Sequence, residues 1–159
     1  MKCPLESRYF STPEDEPLLR SFASELDSTE ARTELVVCGL HMRGFPLEKE
    51  MRAYGAEFAY ETKTSSDYLL YELHTEPRKP GLFRSEECGQ PIEVEVWHIP
   101  DKKLSQFIQT IPYPLAIGKV VLENGVEKLG FVCQNYSAEK KKNITHYGSW
   151  RKYQKGLQA

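Results

Sequence analysis

A strand that runs into a glycine-containing loop and then into a helix constrains this chain more than any other feature. Residues 35–47 read LVVCGLHMRGFPL, with an apolar run before Gly39 and with Pro46 where a helix is expected to begin. Gly39 and Gly44 permit close backbone approaches, and proline suits the first turn of a helix. Because the N-terminus of a helix offers free N–H groups to an anion, the loop is predicted to bind one.

His41 lies between the two glycines and is the leading candidate for a catalytic residue. Its side chain changes charge near neutral pH, as a general acid or base must. The alternative is a histidine that is hydrogen-bonded for structural reasons. Arg43 in the same loop is a candidate to bind a carboxylate through a two-pronged hydrogen bond, and an exposed loop arginine is its alternative.

Two further groups of charged residues are candidates of a weaker kind. Lys79 and Arg84 flank Gly81 in what is predicted to be a second loop, where they would add two cations. Glu93 and Glu95 alternate with apolar residues on one predicted strand, which is typical of a solvated face.

Size and charge indicate one ordinary globular domain. The chain has 159 residues, of which 40% are hydrophobic and 28% charged, and its formal net charge is −2. A chain of this length buries about two thirds of its unfolded surface, enough for one core. The small charge gives no reason to expect binding to nucleic acid or to an acidic membrane. Since no apolar leader follows Met1, a cytoplasmic location is expected.

The cysteines argue against a metal site. Cys3, Cys38, Cys88 and Cys133 are far apart, and none has a second cysteine or a histidine at metal-ligand spacing. Cys38 and Cys133 lie in apolar runs and are expected to be buried, reduced thiols. The chain also lacks the glycine-rich phosphate-binding and dinucleotide-binding motifs, so neither a metal nor a cofactor is predicted.

The order of elements predicts an α+β fold with a curled, partly closed sheet. Apolar periodicity predicts helices at 47–54, 101–111 and 149–157. Strands are predicted at 57–62, 68–73, 92–97 and 128–133. Asn124-Gly125 favours the tight turn of a hairpin, and the lysine run 140–142 is expected to be a solvated loop.

Residues 1–32 are expected to be an extension that precedes a domain formed by 33–159. The spacing of apolar residues between Leu18 and Leu26 predicts a short amphipathic helix in this extension. The helix is expected to pack on the domain, and binding to a partner is its alternative role.

Five segments in the same order and spacing together resemble the C-terminal domain of allophanate hydrolase. The resemblance covers about residues 33–153. The segments are Cys38–Leu47, Lys79–Arg84, Ile92–Trp97, Ile111–Val120 and Ile144–Arg151.

The resemblance implies a fold, an activity and a site. The fold would be that of the gamma-glutamyl cyclotransferases, a small mixed β-barrel with surrounding helices and a pocket at the glycine loop. The activity would be decarboxylation of N-carboxycarbamate in urea breakdown, with His41 as the acid-base residue. The charges of its small anionic substrate make residues of the two predicted loops the candidates to bind it. These residues are Gly39, Leu40, Arg43, Gly44, Lys79 and Arg84.

Two departures from the related families leave alternatives open. Cyclotransferases carry a catalytic glutamate in the region that here reads IPYPLAIG (111–118), which has no acid, so cyclotransferase activity is not expected. The chain has no amidase region, so a separate amidase would have to supply the substrate. The alternatives are a non-catalytic module that binds an amidase or forms homo-oligomers, and an enzyme of the same fold that acts on another small amide or carboxylate.

Overall fold

The computed structural model describes residues 30–158, which form two β-sheets, three short α-helices and two 3₁₀ helices, at Ala138–Lys140 and Thr145–Tyr147. The strands are β1 (Arg32–Val37), β2 (Glu57–Lys63), β3 (Tyr68–Leu73), β4 (Lys79–Arg84), β5 (Glu93–Pro100), β6 (Leu115–Val121), β7 (Glu127–Cys133) and β8 (Lys141–Asn143). The helices are α1 (Glu48–Ala53), α2 (Asp101–Gln109) and α3 (Trp150–Gln158). The amphipathic helix predicted between Leu18 and Leu26 lies outside the described residues.

β1 is the central strand of a five-stranded sheet with the order β2-β5-β1-β7-β6. It pairs antiparallel with β5 and parallel with β7, so the sheet is mixed. Leu35, Val36 and Val37 point alternately to the two faces, and each is at most 1% exposed. The apolar run before Gly39 is therefore a buried central strand that delivers the chain into the loop.

The five-stranded sheet closes on itself at one end. Its edge strands β2 and β6 continue into Thr64 and Leu122, which form an antiparallel bridge. Beside this bridge the Glu123 N–H donates a hydrogen bond of 2.9 Å to the Lys63 C=O. Because edge strands that pair with each other begin to form a barrel, the expectation of a curled, partly closed sheet is confirmed.

The second sheet has the order β4-β3-β8 and is antiparallel throughout. Its strand β4 comprises the residues predicted to be a loop on the strength of Pro80 and Gly81, and that prediction is wrong. β4 is an edge strand, the place in a sheet where a proline is tolerated. The lysine run expected to be a loop also contributes a strand, β8, which pairs with β3.

The helices predicted from apolar periodicity are confirmed in the described part of the chain. Met51 of α1 and Phe107 of α2 are fully buried, and Trp150 and Tyr153 of α3 are 2% exposed. Asn124 and Gly125 form the hairpin turn between β6 and β7, with Gly125 at a φ of 82°. Periodicity and turn chemistry thus located the elements whose stability depends on local patterns.

Two glycine-to-alanine substitutions are expected to change stability in opposite directions. A Cβ at Gly130 in β7 would lie 2.7 Å from the Val36 Cβ and 3.0 Å from the Val36 carbonyl oxygen. Since backbone must move to relieve that overlap, Gly130→Ala should lower the free energy of unfolding by about 1–3 kcal/mol.

Gly156→Ala is the matched control. Gly156 is exposed in α3, and a Cβ there would make an ordinary contact at 3.4 Å. The same change should raise the free energy of unfolding by about 0.5–1 kcal/mol because alanine has the higher helix propensity. Urea unfolding of both variants measures the two effects, and an unchanged Gly130→Ala would show that β1 and β7 are less tightly packed than described.

Candidate functional site

A cavity of about 230 Å³ opens beside the loop that follows β1, and we call it the His41 pocket. β4, β7, α1 and the segment after α2 complete its wall. Most of the lining is apolar, with Leu40, Ile111, Leu115 and Phe131 among the contributors. A concave, mostly apolar site with a few polar groups is the usual form of a small-molecule site.

The loop itself begins with a β-turn over Gly39–Met42. The Met42 N–H donates to the Gly39 C=O at 3.0 Å and closes the turn. Within residues 30–158, the N–H groups of the two central residues, Leu40 and His41, have no hydrogen-bond acceptor. Both residues line the pocket. Adjacent unpaired N–H groups of a turn are suited to an anion.

Gly39 is required by its distance from β4. A Cβ at residue 39 would lie 2.2 Å from the Pro80 Cγ and 2.6 Å from its Cδ, far inside any contact distance. The glycine therefore lets the loop and β4 touch, and Lys79 enters the pocket wall beside Pro80 as a result.

His41 is held by two aromatic rings and one carboxylate. Its ring stacks on Phe131 with centroids 4.8 Å apart and meets Phe107 edge-on at 5.6 Å. Its Nε2 lies 3.3 Å from the Glu50 Oε2, and its side chain is 13% exposed. The imidazole is thus fixed in orientation while one edge remains accessible from the pocket.

Burial lowers the pKa of His41 from its ordinary value of 6.5. The Glu50 carboxylate acts in the opposite direction by favouring the imidazolium, and the Lys79 ammonium lowers the pKa further. Because desolvation is the largest of these effects, the imidazole of the free protein is mostly neutral at pH 7.

Four of the predicted site residues line the pocket and three do not. Gly39, Leu40, His41 and Lys79 come together there. The structure places Arg43, Gly44 and Arg84 elsewhere.

Arg43 binds a carboxylate of the protein itself. Its backbone N–H donates to Glu95 at 3.0 Å and its Nε at 3.1 Å, and its Nη2 contacts Glu61. Glu95 is 2% exposed, so the expected solvated face of β5 is wrong at this residue. Trp97 occupies the same face and donates its Nε1–H to Glu95 at 3.0 Å.

Gly44 and Arg84 each bind a neighbouring carboxylate outside the pocket. Gly44 has a φ of 83° and donates its N–H to the Glu48 Oε2 at 2.8 Å, which connects the end of the loop to α1. Arg84 is more than half exposed and pairs with Asp67 through a 2.8 Å contact.

Sequence reasoning missed Glu50 and Phe131. Glu50 is the one acidic residue that lines the pocket in the described part of the chain, and it comes from α1 instead of from the acid-free segment 111–118. Glu50 is three residues beyond Leu47, so the two share one side of α1, and both line the pocket. Nothing in the sequence near Phe131 indicates that it stacks on His41.

The cysteine beside the pocket is not a nucleophile. Cys38 lines the pocket wall but is 4% exposed, and burial raises the pKa of its thiol to about 12. The thiolate that nucleophilic attack requires is therefore absent near neutral pH. Cys133 is half-buried, with a pKa raised to about 11 by burial, so it is less enclosed than expected.

Residues 30–158 contain neither a metal-binding cluster nor a membrane-spanning helix. This range contains no group of three or more His, Cys, Asp or Glu residues placed to hold a metal ion. It contains no helix that is long and apolar enough to cross a membrane.

Residues 33–155 match the family described as the allophanate hydrolase C-terminal domain. The chain belongs to this family. It is 39% identical over 131 residues to the urea amidolyase of Lachancea kluyveri, in a match that covers 79% of this chain and 7% of that protein. The chain therefore spans a small fraction of the curated relatives it matches.

Two solved structures are similar to this one at more than 30% identity. The allophanate hydrolase of Kluyveromyces lactis matches with a TM-score of 0.77 and 33% identity, covering 80% of this chain and 22% of that one. A uropathogenic E. coli-specific protein matches with a TM-score of 0.73 and 37% identity, covering 79% of this chain and 97% of that one.

A more distant likeness concerns the fold alone. An AIG2-like protein from Mus musculus matches with a TM-score of 0.53 at 20% identity, covering 69% of this chain and 82% of that one. The predicted α+β fold of the gamma-glutamyl cyclotransferase type is confirmed.

Titration of His41 by NMR tests the electrostatics of the pocket. The pKa of its imidazole should lie below 6.5 because of burial. Glu50→Gln should lower that pKa further by removing the carboxylate that favours the imidazolium, and Lys79→Met should raise it by removing a like charge. Glu57→Gln, at an exposed residue of β2, is the control for loss of a carboxylate. Shifts of Glu50→Gln and Lys79→Met in the same direction would contradict this arrangement.

Proposed function

We propose that this chain catalyses the decarboxylation of N-carboxycarbamate, or of a similar small dicarboxylate amide, at the His41 pocket. One observation carries the proposal: the titratable imidazole of His41, hydrogen-bonded to Glu50, lies in the wall of a cavity that is also lined by Lys79 and by the turn residue Leu40. A binding module has no need of an oriented imidazole in a cavity, whereas proton transfer does.

The pocket provides the groups that such a substrate needs. N-carboxycarbamate carries two carboxylates on one nitrogen, so it requires a cation and hydrogen-bond donors. Among residues 30–158, Lys79 is the one lysine or arginine side chain that lines the pocket. The turn over Gly39–Met42 offers the N–H groups of Leu40 and His41 as donors. The mostly apolar wall lowers the local dielectric and strengthens each of these contacts.

His41 supplies the proton that the reaction consumes. The bond between nitrogen and one carboxyl carbon breaks, and CO2 leaves. The electron pair of that bond stays on nitrogen, which takes a proton from the His41 imidazolium and yields carbamate. His41 is then neutral and regains its proton from water. Lys79 and the turn N–H groups hold the remaining carboxylate.

Because the pKa of His41 is lowered, binding of the anionic substrate has to favour protonation of its imidazole. The imidazole of the free protein is mostly neutral at pH 7 because it is buried. An anion bound within about 4–6 Å favours the imidazolium, and Glu50 acts in the same direction. The proton is therefore taken up together with the dianionic substrate and is spent in the reaction.

The substrate in this proposal comes from an amidase active site. Removal of ammonia from allophanate generates N-carboxycarbamate, and that hydrolysis needs an activated nucleophile of its own. Cys38 in the wall of the His41 pocket does not supply it, because burial raises the pKa of its thiol to about 12.

Loss of the imidazole should abolish the added activity. Purified protein is mixed with an isolated amidase domain that is turning over allophanate, and release of CO2 and of ammonia is followed side by side. Wild type should accelerate CO2 release, and His41→Gln should reduce the accelerated rate by about 10²–10⁴-fold, the usual contribution of a general acid.

His74→Gln is the matched control. His74 directly follows the last residue of β3, is exposed and does not line the pocket. It should release CO2 at the wild-type rate. Equal rates for wild type, His41→Gln and the amidase alone would rule out the proposed activity, provided that His41→Gln keeps the wild-type unfolding midpoint.

The pH dependence of kcat/KM should follow the pKa of His41. The reacting complex holds one proton more than the free enzyme with a neutral imidazole, so kcat/KM falls tenfold per pH unit above the pKa of the free enzyme, and the fall begins below pH 6.5. Glu50→Gln should move the fall to lower pH. A rate that instead rises through the same range would show that the neutral imidazole acts as a base.

A further inference from the structure

The side of the His41 loop that faces away from the pocket rests on a buried carboxylate. Glu95 of β5 is 2% exposed, and each of its oxygens accepts two hydrogen bonds. Oε2 accepts from the Arg43 N–H at 3.0 Å and from the Trp97 Nε1–H at 3.0 Å. Oε1 accepts from the Arg43 Nε at 3.1 Å and from the Arg151 Nη2 at 3.2 Å.

Arg151 of α3 contacts Arg43 and Phe45 of the same loop and lies beside Gly44. Its Nη2 donates to the Arg43 C=O at 2.9 Å. A Cβ at Gly44 would lie 3.6 Å from its Nη1, and its guanidinium carbon lies 5.0 Å from the centre of the Phe45 ring. One side chain from the C-terminal helix therefore covers residues 43–45.

The peptide groups on both sides of Arg43 are fixed as a consequence. Glu95 binds the N–H of Arg43 and Arg151 binds its C=O. Arg43 is two residues beyond His41, and the turn that carries His41 ends at Met42. A shift of these peptide groups would be transmitted to His41 through a single intervening residue.

We infer that Glu95 and Arg151 are positioning residues that hold His41 in its place in the pocket. This inference rests on the proposed function for its kinetic consequence. The pair touches neither the pocket nor a reacting atom, and it acts through the backbone of Arg43. The need for close control is general, because a displacement of about 1 Å at a reacting group can cost about 100-fold in rate.

The arrangement explains why a charge is buried at this point. Burying a carboxylate is costly unless charged partners and hydrogen bonds satisfy it, and Glu95 has two guanidinium groups and two further donors. Beside Glu95, the Nη2 of Arg151 also donates to the Arg43 C=O in the loop. A hydrophobic replacement would fill the space but could not fix a peptide N–H and a peptide C=O at once.

Arg151→Met and Lys152→Met form a matched pair for the test. Lys152 is the next residue of α3, and its Nζ lies 2.6 Å from the Glu93 Oε1 on the same strand as Glu95. Each substitution removes one cation from α3 and one ion pair with β5. Among the contacts described for these two residues, those of Arg151 reach the loop that carries His41 and those of Lys152 do not.

Arg151→Met should reduce kcat for CO2 release by about 10–100-fold and change KM much less, since binding groups such as Lys79 stay in place. The ring proton signals of His41, which report its stacking on Phe131, should shift in NMR spectra. Lys152→Met should leave kcat and those signals at their wild-type values. Arg151→Lys, which can donate to one acceptor but less well to two, should fall between.

The inference is overturned by either of two results. Wild-type kcat and wild-type His41 signals in Arg151→Met would show that the loop needs no support from α3. Equal losses in Arg151→Met and Lys152→Met would show a general loosening of the helix. If Arg151→Met does not fold, Arg151→Lys gives the same comparison. If wild type itself does not accelerate CO2 release, the proposed function fails, and the His41 signals still decide the positioning role.

Discussion

The buried carboxylate of Glu95 is the interaction on which the rest of the site depends. A loop that lines a pocket must leave one side open, so it has to be held from the other side. Here that side faces a charge that the protein has removed from water. Such a charge is stable only while its donors stay in place, which makes the loop, β5 and α3 mutually dependent. Both oxygens of Glu95 have hydrogen-bond partners, which is the condition under which a buried polar group orders its surroundings.

Local patterns predicted most of the fold and failed where tertiary position decides. The helices and the hairpin follow from apolar spacing and from Asn124-Gly125, which act within a few residues. β4 was missed because Pro80 and Gly81 are typical of loops. A strand at the edge of a sheet accepts both, and a sequence does not state which strand is at an edge. β8 was missed for the related reason that three lysines in a row give no strand pattern, while pairing with β3 stabilises them.

The candidate site was predicted in part for the same reason. The glycines located the loop, and His41 was its evident titratable group. Arg43 was expected to bind a carboxylate and does so, but the carboxylate belongs to Glu95. The alternation in β5 was interpreted as a solvated face, although Trp97 lies on that face and a tryptophan is seldom left in water. Glu50 and Phe131 come from other elements, and only the fold brings them to His41.

The contact between Gly39 and Pro80 restricts how this protein can change over time. A side chain at residue 39 and the ring at residue 80 would occupy the same space. Any larger residue at 39 is excluded while the proline is present, whereas a smaller residue at 80 makes room for one. The two positions are thus epistatic, and their order of substitution is fixed: residue 80 must change first. Evolution of a differently shaped pocket from this one would begin in β4, outside the loop that carries His41.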